Sequence, residues 1–102
     1  MAQMIVLYAT PPNPAAWNKY YFETHVALVH KIPNLLKFEI STGPVFNMQG
    51  QSPYHLIGTL SFKDLPTLHQ AMSTPEGRAA AADAGTFTPR NSQMIFFDNQ
   101  TL

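Results

Sequence analysis

Apolar and polar positions along this chain switch between a period of two and a period near 3.6, and the switches predict alternating strands and helices. Met4 to Thr10 is rich in strand formers, with Val6 and Tyr8 on one side and Ile5 and Leu7 on the other, so this strand is apolar on both faces until Pro11, Pro12 and Pro14 end it. From Pro14 or Ala15 to Lys31 no Gly or Pro intervenes, and Asn13 is placed to cap a helix carrying Pro14 in its first turn. Its apolar stripe holds Trp17, Tyr21, Phe22, Leu28, Val29 and Ile32, with Lys19, Glu23, Ala27 and His30 opposite. Ile32, Pro33 and Asn34 stop the helix. Leu35 to Ser41 then sets Leu36, Phe38 and Ile40 against Lys37, Glu39 and Ser41, as a half-exposed strand would, until Gly43-Pro44. Asn47 to Pro53 is polar turn material, and Tyr54 to Phe62 completes a hairpin. Asp64 can cap a helix through Leu65, Leu68 and Met72, and Thr74-Pro75 can open a second, alanine-rich piece to about Asp83, with Gly85 as its stop. Ser92 to Asp98 closes the pattern as a strand apolar on both faces.

The order β-α-β-β-α-β is the ferredoxin-like, split βαβ arrangement, an α+β fold with a four-stranded antiparallel sheet and its helices on one face. One such domain accounts for residues 1–102. The opposite sheet face is then bare, and it carries several of Ile5, Leu7, Ile57, Ile95 and Phe97. Large apolar patches are seldom left in water, so a second copy is the simplest cover. Two sheets packed face to face as a dimeric α/β barrel are expected to enclose a mostly apolar pocket between the copies.

Composition sharpens this picture. Only 12% of residues are charged while 45% are apolar, against roughly 25% charged in an average soluble domain, which again favours a homodimer. Six basic and six acidic side chains cancel and no basic run occurs, so the footprint of a nucleic-acid binder is missing. The absence of cysteine excludes disulfides, thiolate metal sites and a cysteine nucleophile. No segment approaches the ~20 apolar residues of a membrane span, and no leader pattern opens the chain, so a cytoplasmic location is expected.

His25 is the residue with chemical promise. It lies within the apolar stripe, four residues after Tyr21 and three before Leu28, which turns its imidazole toward the sheet. Desolvation there favours the neutral ring, a competent base, although a packed histidine bonded to a carbonyl or a tyrosine fits the same pattern. His30 and His69 read as surface residues, and His55, in register with Ile57, Thr59 and Ser61, can face the pocket. No HExxH pattern or tight His/carboxylate cluster suggests a metal, and no glycine-rich phosphate loop, Gly-x-Ser-x-Gly elbow or dinucleotide fingerprint suggests a nucleotide or hydrolase site, so neither metal nor cofactor is expected.

The segment VLYATPPNPAAWNKYYFETHVALVHKIPNL, with YHLIGTLSF and STPEGRAAAADAGTF, resembles the EthD family, named for a protein of ethyl tert-butyl ether degradation. The resemblance covers nearly the whole chain and is most specific in the YYFETHVALVHKIP helix. It implies a dimeric α/β barrel acting in catabolism of small compounds, among relatives that include ether-degradation proteins, lactone isomerases and polyketide cyclases or dehydratases. It makes His25 the candidate general acid/base and Tyr8, Tyr20, Asp83 and Phe87 candidate substrate-binding residues, to which the strand reading adds His55. Trp17, where the family more often has Phe, bears on pocket shape. Two readings follow. One is a cofactor-independent isomerase, dehydratase or oxidation-associated enzyme in which neutral His25 moves a proton on a small hydrophobic oxygenated substrate and Tyr8 or Tyr20 steadies developing negative charge. The other is a non-catalytic binding or accessory protein of an oxygenase or ether-degradation system.

Overall fold

The computed structural model describes residues 1–102. Strands β1 (Ala2–Ala9), β2 (Lys37–Ile40), β5 (Tyr54–Phe62) and β6 (Gln93–Asp98) form a four-stranded antiparallel sheet in the order β2-β5-β1-β6. Helix α1 (residues 14–30), α2 (Leu65–Met72) and α3 (Pro75–Phe87) cover one face, so the fold is ferredoxin-like, as the pattern predicts. Each helix opens on the expected cap: Asn13 Oδ1 accepts from the Ala16 amide at 3.2 Å, Asp64 Oδ1 from Thr67 at 2.9 Å and Thr74 Oγ1 from Gly77 at 3.0 Å. The polar loop after β2 forms a ladder of its own, β3 (Phe46–Asn47) with β4 (Gly50–Gln51), which Gly50 permits at φ 126°. Leu36 lies outside β2 and is exposed.

The register assigns the faces. Met4, Val6, Tyr8, Leu56, Gly58, Leu60, Phe38 and Ile40 share the helix side, while Ile5, Leu7, Ile57, Thr59, Ile95 and Phe97 share the other. The bare face is therefore apolar through β1, β5 and β6, and ends in the exposed Lys37 and Glu39 on β2. Strand β6 is exposed along its whole length, including Met94 and Phe96 on its helix-facing side.

Gly85 does not stop the last helix, which continues to Phe87. Glycine inside a helix costs about 1 kcal/mol relative to alanine, but the terminal carbonyls have partners that offset it. The Trp17 indole N–H donates to the Phe87 carbonyl at 3.1 Å, and the Thr88 amide and hydroxyl both donate to the Ala84 carbonyl. Helix α3 is pressed against α2 at Gly77, where an added Cβ would lie 2.2 Å from the Ala71 carbonyl oxygen.

Candidate active site

Helix α1 buries Trp17, Tyr21, His25 and Val29, and Ile32, two residues past its end, is buried in line with them. Their spacing is four, four, four and three. In a regular helix of 3.6 residues per turn each step of four drifts the stripe by about 40°. A π-helical segment, Tyr21–His25, absorbs that drift: the Val26 amide bonds the Tyr21 carbonyl five residues back. Both halves of the helix consequently aim at the sheet. Phe22, expected on the stripe, is turned out and half exposed.

The segment brings His25 over an apolar cavity of about 260 Å³ between helices and sheet. The cavity lies within one chain, between its own helices and sheet. It arises because α3 presents Ala80, Ala81 and Ala84 toward β1 and β5, and side chains this small leave the intervening layer unfilled. Tyr8, Tyr21, Phe38 and Gly58 line it beside His25.

His25 is 4% exposed, and its Nδ1 lies 3.0 Å from Asp83 Oδ2. A carboxylate only accepts, so Nδ1 carries the proton and Nε2 is left as a lone-pair nitrogen. No buried side-chain polar atom lacks a partner and Nε2 bonds nothing in the chain, so this nitrogen borders the open space. Burial holds the imidazole below its ordinary value, outweighing the upward pull of the Asp83 hydrogen bond and charge. At neutral pH the pair is a neutral histidine hydrogen-bonded to a carboxylate.

Tyr20 and Asp83 do not line the cavity. The Tyr20 hydroxyl donates to Asp83 Oδ1 from the surface, and that bond raises the Tyr20 phenol. Asp83 is thereby held at both oxygens. Phe87 packs edge to face on His25 with ring centroids 4.7 Å apart, a wall behind the imidazole. Tyr8 does line the cavity, and burial pushes its hydroxyl up to about 12, with the Tyr21 hydroxyl lowering it in part and the Asp83 charge adding to the rise. Burial likewise raises Tyr21.

His55 lies elsewhere. Tyr8 pairs with Leu56 and Ala9 with Tyr54, so His55 is the extra residue of a β-bulge and leaves the alternation shared by Ile57 and Thr59. Its Nε2 meets Asn18 Oδ1 at 2.7 Å and its ring stands against Trp17, beside a separate, more polar depression. His30 and His69 are exposed, as expected, and pack edge to face on Phe38 and Phe96. Tyr21 and Gly58 were not foreseen as site residues. The unbroken four-residue spacing around Tyr21 was the available signal; for Gly58 the signal was a glycine within a strand.

Residues 10–91 match the EthD domain. The chain belongs to the EthD domain family. This EthD chain is 32% identical over 103 residues to an uncharacterized 11.0 kDa protein in the thcB-thcC intergenic region of Rhodococcus erythropolis, covering 100% of the chain and 98% of that protein. It superposes with a TM-score of 0.90 and 30% identity on an EthD family protein from Bacillus halodurans, covering 98% and 99% of the two chains. The fold extends to structures of much lower identity. A dimeric ferredoxin-like protein of unknown function from Bacteroides fragilis has a TM-score of 0.63 at 17% identity, with 96% and 95% of the chains covered. SnoaB, a cofactor-independent oxygenase from Streptomyces nogalater, has 0.61 at 12%, with 99% and 94% covered. No helix of the EthD chain is long and apolar enough to cross a membrane.

Proposed function

We propose that this EthD chain is a cytoplasmic, one-domain homodimer that takes a small hydrophobic oxygenated compound of a catabolic pathway into the cavity under α1 and α3, where His25 acts as a general base. The observation that carries the reading is the His25–Asp83 pair, with Nδ1 engaged by a carboxylate and Nε2 bordering an apolar cavity. In the step it supports, Nε2 takes a proton from a C–H or O–H made acidic by a neighbouring oxygenated group. The imidazolium formed is stabilised by Asp83 at 3.0 Å. The electron pair left on the substrate spreads onto its oxygen, to which the protonated Tyr8 hydroxyl can donate. Returning the proton to a different atom is an isomerisation; losing hydroxide from the neighbouring carbon, with the imidazolium supplying its proton, is a dehydration. Both balance without a redox partner. The bare face of β1, β5 and β6 is the surface for the second copy, in keeping with the dimeric protein from Bacteroides fragilis that shares the fold.

A panel of cyclic and open-chain ketones, lactones and β-diketones incubated in D2O tests the base. Wild type should speed carbon-bound deuterium uptake into at least one of them, and His25→Gln should remove that acceleration while the protein stays folded. Binding without exchange in both proteins would instead make the chain a carrier or accessory protein, the alternative that an apolar cavity with few polar groups also accommodates.

A further inference from the structure

The His25 cavity has one open side. Of the residues that line it, those exposed to solvent are Ala81, Thr88, Gln93 and Met94, and every other one is buried or half-buried. They come from the second half of α3, the residue that follows it and the first two positions of β6, so they bound a single gap between helix and strand. The other sides are sealed by contacts. The Trp17 indole bonds the Phe87 carbonyl at 3.1 Å and stacks on Tyr21 at the start of α1. The His25–Asp83 bond closes the seam between α1 and α3, and the His30 ring packs on Phe38 over β2 with centroids 5.6 Å apart. Helix α2 meets α3 closely at Gly77. The gap follows from how α3 is carried: it packs on α1 and α2, whereas the helix packed on β6 is α2. The start of β6 is left without a helix above it, and Met94 is 54% exposed there.

Met94 pairs with Val6 across the ladder, which puts its side chain on the helix side of the sheet, in the gap. An unbranched thioether with three rotatable bonds moves aside at little cost and refills irregular space afterwards. The lining holds no Asp, Glu, Lys or Arg, so an ion entering would leave water without gaining an opposite charge. We propose that uncharged molecules enter and leave the cavity between α3 and β6, and that Met94 is the gate they pass. This rests on the cavity being the working site, as above, and it adds the route and the rule of admission. Because β6 turns one face to the cavity and the other to the second copy, both mouths of a homodimer stay open.

Benzene is the probe, since an apolar cavity of about 150 Å³ is enough to bind it. Titrated into the 15N-labelled protein, it reports Kd through amide shifts, and entry and exit rates through exchange broadening. A gate raises the barrier equally in both directions, whereas a wall residue changes Kd. Met94→Trp should therefore slow entry and exit together by about tenfold and leave Kd within about twofold, while Leu36→Trp, at an exposed position outside the sheet, should alter neither. Met94→Ala should speed both. Benzoate, the same ring carrying a charge, should leave the cavity amides unmoved at concentrations where benzene saturates them. Unchanged rates in Met94→Trp, a weaker Kd with an unchanged entry rate, benzoate binding that matches benzene, or no benzene binding to wild type would each overturn the gate. Benzene rates that respond to Met94 in a protein without His25-dependent deuterium uptake would keep the gate and remove the general base. His25-dependent uptake with benzene rates indifferent to Met94 would do the reverse.

Discussion

Replacing Asp83 with asparagine keeps the shape of the side chain and reverses the chemistry of one of its two ends. The carboxylate accepts twice, from the Tyr20 hydroxyl at Oδ1 and from His25 Nδ1 at Oδ2, 3.0 Å away. An amide accepts at one end and donates at the other. If its oxygen keeps Tyr20, its NH2 faces His25, whose Nδ1 must then accept and whose proton must move to Nε2. A hydrogen bond to a charged group is worth about 1.5–3 kcal/mol, so in wild type Asp83 favours the Nδ1–H form by roughly 10- to 150-fold. In Asp83→Asn that preference should invert. Exchanging two charge-assisted bonds for two neutral ones should also lower Tm. Long-range 1H–15N correlation spectra of the imidazole distinguish the tautomers directly through the two nitrogen shifts. Wild type should show Nδ1–H and the variant Nε2–H, and deuterium exchange by the variant should fall at least a hundredfold. A wild-type ring already protonated at Nε2, or an unchanged tautomer in the variant, would refute the dyad.

Three further outcomes are expected. Because burial holds folded His25 below the ordinary 6.5, the neutral ring's contribution to stability is complete above pH 6.5 and is lost as pH falls through the lower folded-state value; thermal unfolding between pH 8 and 5 should show Tm falling in wild type and falling less in His25→Gln, and parallel curves would exclude this. Gly77→Ala should cost about 3 kcal/mol, the upper end for overpacking, since the obstructing atoms at Ala71 and Met72 are backbone; chemical unfolding measures it, and a loss under 1 kcal/mol would mean that α2 and α3 separate freely. Ile57→Glu on the bare face should yield monomers by light scattering with a near-native circular dichroism spectrum, and a variant dimer as tight as wild type would place the interface elsewhere.

Much of the fold was legible because its determinants are local. Asn13, Asp64 and Thr74 act within three residues of themselves, and the alternation in β1 and β5 fixes which side chains share a face. The errors arose where one residue breaks a period. The bulge at His55 moves an imidazole from the alternation of Ile57 onto Asn18 and Trp17, and the wide turn in α1 swings Phe22 outward. Gly85 misled because the helix end is held by Trp17, 70 residues away in the chain, and local chemistry cannot report such a partner. The same distance hid the role of Asp83, 58 residues from His25. The cavity within the chain was not legible because small alanines on α3 read as good helix formers, when their consequence is unfilled volume.

The wide turn in α1 has the effect of a clutch plate between two halves of one helix. Upstream, Trp17 grips the end of α3 through the Phe87 carbonyl; downstream, Val29 and Ile32 are set into the hydrophobic core. Deleting one residue between Tyr21 and His25 would restore a regular helix with its two halves close to their present relative rotation, because the wide turn takes up the roughly 100° that one residue adds. Deleting one residue between Val26 and Val29 would instead turn Val29 and Ile32 about 100° away from the core. The wide turn is therefore the place where this helix can lose a residue and keep hold of both the aromatic cluster and the core.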